Sequence, residues 1–383
     1  MLQRTKDLIL DILQQADLVL LALCCAATVF GMVEIASATH YMQTWKYVIV
    51  QGGAAAIGVA AYLLMSMVDV AEVSKWWKWM LAFNVVIILL LKTPLGVDDG
   101  TGNRAWLHIP GFPVSLQPAE IVKITFTVIL ARQLNWLKEE YKIGSFRSAA
   151  FLAAHVLALV GLYYAVSGDM GSALVYVFIF ACMAFVAGLP LRWYGVGLLG
   201  GGIAFYLLWE TDKISDYMKD RFRLVFNHEL DPLGVGWHQN HSVMALGSGK
   251  LTGEGLFHGT QTQSAFSGSL PARHTDFIFS AIGEELGLIG CAAVLLLLAA
   301  IVIRCLVVAG KAKTKMETYV CVGLAAMLIF QTAINVGMCL FLVPVIGLTL
   351  PFISYGGSSL VTLFAAMGVV SGVHKRSLPE WLR

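Results

Sequence analysis

Polar residues punctuate this chain instead of alternating along it. Ten mostly apolar windows fall near 18–36, 47–66, 76–92, 118–135, 148–166, 171–188, 193–209, 276–306, 317–342 and 350–373. Several reach the ~20 residues that cross a bilayer as a helix. Isolated strands would leave backbone groups unsatisfied in lipid, so every window is predicted as a helix. The pattern predicts an all-α integral membrane protein of about ten transmembrane helices, one polytopic domain over 1–383. The run from Leu18 to Ile35 is long enough to span and is read as a helix rather than a cleaved signal. Before it, Leu2, Ile9, Ile12 and Leu13 share one face, so 1–15 reads either as an interfacial helix or as a solvated tail.

With the N-terminus inside, the inner segments hold 16 Lys and Arg, whereas the short outer loops hold only Lys46, Lys92 and Arg104. That bias places both termini in the cytoplasm. Two outer segments stand out: 93–117, rich in Gly and Pro, and 210–275 between the seventh and eighth spans. The latter carries six basic residues and five of the nine histidines. Long loops in compact proteins are commonly functional, so chemistry is expected on the outer face. No internal repeat is visible, which weighs against an inverted-repeat transporter.

Composition agrees. Of 383 residues, 58% are hydrophobic and 13% charged, against about 25% charged in a soluble domain; mean hydropathy is +0.75. A soluble enzyme, a disordered chain and a disulfide scaffold are excluded. The net charge of +2 gives no electrostatic case for nucleic acid. The seven cysteines lie in or beside apolar runs without metal-ligand spacing and read as small buried hydrophobes.

Ionisable residues in or beside spans are costly and so mark candidate sites. Asp276, next to Arg273 and His274, stands where the long loop re-enters the membrane. It reads as a general base or, with Thr275 as N-cap, as a helix start. Glu120 and Lys123 share a face behind Pro118, either as a self-neutralising pair or as a substrate-positioning one. Glu284 and Glu285 are predicted two turns beyond Asp276 on the same helix, among Gly283, Gly287 and Gly290, whose spacing suits close packing. Asp169 fills a short turn. Arg104 and Trp106 are placed to meet headgroups. The segment Ser354-Tyr355-Gly356-Gly357-Ser358 offers backbone groups and hydroxyls to a polar ligand, or else a tight helix crossing. His238 and His241 lack an acidic partner and are not read as a metal site.

Taken in order, the segments Gly102–Leu107, Gln117–Glu120 with Lys123, Ala245–Gly249, Leu270-Pro271 with His274–Phe279, Gly283–Gly287 and Leu350–Ser359 resemble the SEDS family (shape, elongation, division and sporulation), which includes RodA and FtsW. The resemblance implies a peptidoglycan glycosyltransferase that polymerises lipid II at the outer face of the bacterial cytoplasmic membrane. It also implies a class B penicillin-binding protein as partner. Asp276 matches the family's essential outer-loop aspartate, Glu120 and Lys123 its charged pair, and Asp169 an acidic turn position. The chain departs from the family pattern at Ser167–Ser172, at His238 and His241 (often glutamines), at Ile346 (often threonine), and in an apparent insertion at Ser267-Gly268-Ser269.

The expected chemistry is inverting sugar transfer with Asp276 as base. The departing undecaprenyl pyrophosphate calls for positive charge. Arg104, Lys123 and Arg273 are the candidates, with Mg²⁺ or another divalent cation on Glu120 or Asp169 as a further source. The rival readings are a lipid II flippase, for which Glu284 and Glu285 would supply polar groups at depth, and a non-catalytic scaffold for the penicillin-binding protein.

Overall fold

The computed structural model describes residues 16–98, 103–108, 110–111, 115–211, 216–228, 231, 234, 236–265 and 269–378. The reading of 1–15 lies outside these residues. The apolar windows become α1 (Leu18–Ala38), α2 (Lys46–Ser66), a short α3 (Val70–Ser74), α4 (Trp77–Leu89), α5 (Pro118–Glu140), α6 (Phe146–Ser167), α7 (Met170–Ala187) and α8 (Leu191–Trp209). The long connection contributes α9 (Asp216–Phe226) and α10 (Trp237–Ser248), and the chain closes with α11 (Ile278–Lys311), α12 (Lys315–Cys339) and α13 (Gly357–Ser377). Among the described residues the only strands are β1 (Gly96–Val97) and β2 (Trp106–Leu107), an antiparallel pair.

Eight of these helices are long and apolar enough to cross a membrane: α1, α2, α6, α7, α8, α11, α12 and α13. The two other predicted spans are helical but fall short of that standard for different reasons. α4 has 13 residues and is prolonged only by a 3-10 turn at Leu90–Lys92. α5 has 23 residues but carries charges at both ends, and turns Val122, Phe126, Leu130, Leu134 and Leu137 into the protein.

Local signals explain many helix ends. Pro118 opens α5, where its missing N–H costs nothing. Asp169 caps α7 through the Ser172 amide, 3.1 Å away. Thr314 and Glu317 form a reciprocal capping box at α12. The most extensive packing joins α2 to α13. It depends on absent side chains: a Cβ at Gly368 would lie 2.4 Å from the Tyr62 carbonyl oxygen. Ion pairs Arg304–Asp17 (2.8 Å) and Arg376–Glu317 (3.1 Å) tie one end of the bundle.

The feature that shapes the other end is a break in α11. Gly287 has φ 65° and ψ −163°, a conformation essentially reserved for glycine. The break strands the Glu284 and Glu285 carbonyls and the Leu288 and Ile289 amides. The loop after α10 meets all four: the Glu254 and Gly255 amides donate to Glu284 O and Glu285 O (2.9 Å each), while Leu288 and Ile289 donate to Lys250 O (3.0 Å) and Leu251 O (3.2 Å). The packing expectation holds for Gly283, which faces Leu246, but at Gly287 it gives way to this break.

A Cβ at Gly287 would lie 2.5 Å from Gly253 N and 2.6 Å from the Leu251 carbonyl. Gly287→Ala should therefore cost roughly 1–3 kcal/mol in backbone strain alone, lowering the thermal unfolding midpoint in detergent. Gly161→Ala, with nothing within 4 Å of its would-be Cβ, should leave it nearly unchanged. Equal midpoints for both variants would contradict the strained break.

Candidate active site

Asp276 sits ahead of α11, whose cap is Phe277 without a side-chain bond. The helix-start reading therefore fails: the Thr275 hydroxyl turns back to Ala272 O (3.2 Å), and Asp276 belongs to an irregular turn instead of sharing a helix with Glu284. Ala272, at φ 46°, makes that turn, and its carbonyl accepts from the amides of both Thr275 and Phe277. The partly buried Asp276 is held by its backbone: its carbonyl accepts from Asn335 Nδ2, which also donates to Leu348 O, both at 2.8 Å.

The neighbouring residues are anchored as closely. The Tyr355 amide donates to His274 O (2.9 Å), and Ser354 Oγ donates to Thr275 O (2.7 Å). Gln51 of α2 donates to Ser354 O (3.2 Å) and accepts from the Gly356 amide (3.1 Å). The predicted last span thus begins at Gly357, and 350–356 is a turn docked on the Asp276 segment. Ser354 is structural here, and so is the Gly356 backbone. Tyr355 and Tyr47 both pack on the His274 ring, at 5.8 and 4.9 Å between centroids. Ser358, in the first turn of α13, has a buried hydroxyl oxygen with no partner among the described residues.

Two residues expected to touch substrate are committed elsewhere. Arg273, only 5% exposed, donates to Gln261 O (3.0 Å), Thr262 O and Ser264 O (3.0 Å) and lies 3.7 Å from the Tyr41 ring centroid. It clamps the preceding loop and is not open to a leaving group. Glu284 is fully buried and accepts from the amides of Gln261 (2.6 Å) and Thr262 (2.7 Å) and from the Thr262 hydroxyl. Glu285 is filled in the same way by Ser37, Phe257, Gly259 and Gln263.

A second group forms around α5–α7. Lys123 Nζ meets Glu120 Oε1 at 2.6 Å in a buried ion pair. Asp169 accepts from Tyr163 OH (2.8 Å) as well as capping α7. Tyr163 packs on Tyr176, and Tyr176 OH donates to Ala119 O (3.0 Å) beside Glu120. The Arg104 amide donates to Ser167 O (2.9 Å), docking an exposed Arg104 beside the Asp169 turn, with Trp106 in β2. The 343–348 loop joins the two groups. Gly171 lies against Ile346 O, and Leu348 O shares Asn335 with Asp276. His241 is bonded to Gln261 (3.0 Å) and packed on Trp237. No group of three or more His, Cys, Asp or Glu is placed to hold a metal among the described residues.

Sequence reasoning missed Asn335, Gln51, Tyr41, Tyr47 and Glu34. Polar residues in apolar windows were the signal for Gln51, Asn335 and the buried Glu34. The tyrosines gave none, being ordinary at membrane interfaces.

Burial, and then the nearby Arg273 charge, pull His274 from its ordinary 6.5 to about 4. The unfolded chain therefore binds this proton more readily. The resulting stability is complete above pH 6.5 and is lost as pH falls through about 4. His274→Phe should flatten part of the decline in unfolding temperature between pH 6.5 and 4. Identical slopes in the two proteins would mean that the ring titrates normally.

The chain matches the family model described as "Cell cycle protein" (FtsW, RodA, SpoVE) over residues 15–378. It is 33% identical over 322 residues to the peptidoglycan glycosyltransferase MrdB of Escherichia coli K12, covering 84% of each chain. It is 32% identical over 371 residues to a probable peptidoglycan glycosyltransferase FtsW of Geobacter metallireducens, covering 95% of this chain and 96% of the relative. A solved structure described as the structural coordination of polymerization and crosslinking by a peptidoglycan synthase complex contains a similar chain. The TM-score is 0.79 at 28% identity, over 95% of this chain and 99% of the other.

Proposed function

This chain belongs to the FtsW, RodA and SpoVE family of cell cycle proteins, the SEDS family, and we propose on that premise that Asp276 is the base of its sugar transfer. The protein is a multi-pass membrane protein and a peptidoglycan glycosyltransferase. In the proposed step, an acceptor GlcNAc 4-hydroxyl of lipid II passes its proton to the Asp276 carboxylate. The oxygen attacks the anomeric carbon of the donor MurNAc from the face opposite the pyrophosphate. The carbon–oxygen bond to undecaprenyl pyrophosphate breaks, the pyrophosphate takes the electron pair, and the anomeric centre inverts. A departing pyrophosphate needs positive charge more than a strong acid. Arg104 is the exposed cation for that role, because Arg273 is clamped and Lys123 is paired.

The observation that carries this reading is the over-determined backbone of the Asp276 segment. Asn335 of α12 and Ser354 and Tyr355 of the 350–356 turn bond the backbone carbonyls of 274–276, and Gln51 of α2 braces that turn. Such preorganisation is what a positioned base requires. The flippase reading loses its main support, since Glu284 and Glu285 are filled by the 257–263 loop. Glu120 and Asp169 are likewise committed, so no step is assigned to Mg²⁺ or another divalent cation. The topology proposed is ten spans with both termini cytoplasmic and 210–275 on the outer face of the bacterial cytoplasmic membrane. A class B penicillin-binding protein is the proposed crosslinking partner, in keeping with the similar chain in a peptidoglycan synthase complex.

The test is polymerisation of labelled lipid II by the chain purified with its penicillin-binding partner, with products resolved by length. Asp276→Asn should reduce polymerisation at least about 100-fold, the lower range for a general base, while lipid II binding stays near wild type. Loss of binding in parallel with activity would instead make Asp276 a binding or structural residue.

A further inference from the structure

Away from the Asp276 end, α4, α5 and α6 line a half-open cavity of about 670 Å³. Its volume lies in the range of about 300–1,000 Å³ typical of small-molecule sites. The walls are apolar, with Leu81, Ile129, Leu159 and Leu162 among them, and Trp77 and Trp136 also line it. Among the described residues nothing acidic lines it. One full charge does: Arg132, half-buried near the Ser74 end of α3.

Arg132 is unusual among the partly buried arginines of this end. Arg304 is paired with Asp17 and Arg376 with Glu317. Arg132 has one long hydrogen bond, to Ser74 Oγ at 3.3 Å, and no carboxylate within ion-pair distance among the described residues. A guanidinium presents five donors in a planar fork that suits a phosphate. Leaving it partly buried without a counter-charge, beside an apolar cavity in a membrane protein, is costly. The α6 wall of the same cavity carries a second unmet group. His155 Nδ1 is engaged by Gln133 (2.6 Å), but its buried Nε2 has no partner among the described residues.

We propose that this cavity binds an anionic glycerophospholipid, its phosphate on Arg132 and one acyl chain between α4 and α6. The charge selects the headgroup, the apolar walls select the chain, and the two tryptophans mark the depth at which they meet. His155 and Gln133 provide a polar spot for the glycerol region, directly or through water. The site is separate from the Asp276 segment and does not depend on the glycosyltransferase reading.

Native mass spectrometry of the full-length chain tests this, with dioleoyl phosphatidylglycerol and dioleoyl phosphatidylcholine supplied in equal amounts. The wild type should retain phosphatidylglycerol about tenfold in preference, and Arg132→Gln should abolish that preference. Arg192→Gln, at a cation engaged by Gly144 O (2.7 Å), should keep it. Helical content by circular dichroism guards against a misfolded variant. A phosphatidylglycerol with a photoreactive acyl chain should crosslink within 77–85 or 151–162. Equal retention of both lipids by the wild type, an unchanged preference in Arg132→Gln, or crosslinks confined to other segments would overturn the site. A co-purifying polyprenyl phosphate displaced only by its own kind would overturn the assigned ligand.

Discussion

A helix broken where the protein buries it must find partners for the backbone groups it frees, because an unpaired buried polar group costs free energy comparable to a lost hydrogen bond. Gly287 creates that requirement in α11, and the loop after α10 answers it with four backbone hydrogen bonds. The graft then deepens. Glu284 and Glu285, immediately before the break, accept the loop's own amides between Phe257 and Thr262. Two carboxylates that would be prohibitively costly alone become its fasteners. Close approach is part of the device: a Cβ at Gly249 would fall 1.8 Å from Gly283 O.

The site inherits its rigidity from this graft. Once 250–263 is fixed to α11, the carbonyls of Gln261 and Thr262, with that of Ser264 just beyond, form an acceptor set for Arg273. Arg273 fixes the start of the 273–276 segment; Asn335 and the 350–356 turn fix the rest. Irregular backbone is then tolerable in a buried position, because protein groups replace the missing water.

The helices were legible because apolar windows of spanning length have few other solutions, and Pro118 announced its helix start through local chemistry, whereas Asp169, read as a turn residue, proved to be an N-cap. Legibility failed where a residue's partner is distant in sequence. Gly287 looked like part of a packing stripe because its strain is met by Lys250 and Leu251, more than thirty residues away. Arg273 and Glu284 looked like ligand-binding charges because a buried clamp and a substrate contact use the same residue types. Asn335, like Gln51 and Glu34, carried a readable clue, a polar group in an apolar run, but its two carbonyl acceptors come from segments that no local pattern locates.

These reassignments sharpen the electrostatics of the proposed reaction. Of the three cations considered for the leaving group, Arg273 is buried on carbonyls and Lys123 is neutralised at 2.6 Å by Glu120. Arg104 remains exposed, beside the Asp169 turn. Among the described residues that turn is linked to Asp276 through the 346–348 loop and Asn335, so the proposed base and cation belong to two groups of elements sharing one loop. An inverting displacement needs this division: the base must approach the acceptor oxygen on the face opposite the departing pyrophosphate. On the proposed reading the Asp276 group holds the acceptor and Arg104 meets the donor pyrophosphate, beside the turn that Asp169 caps.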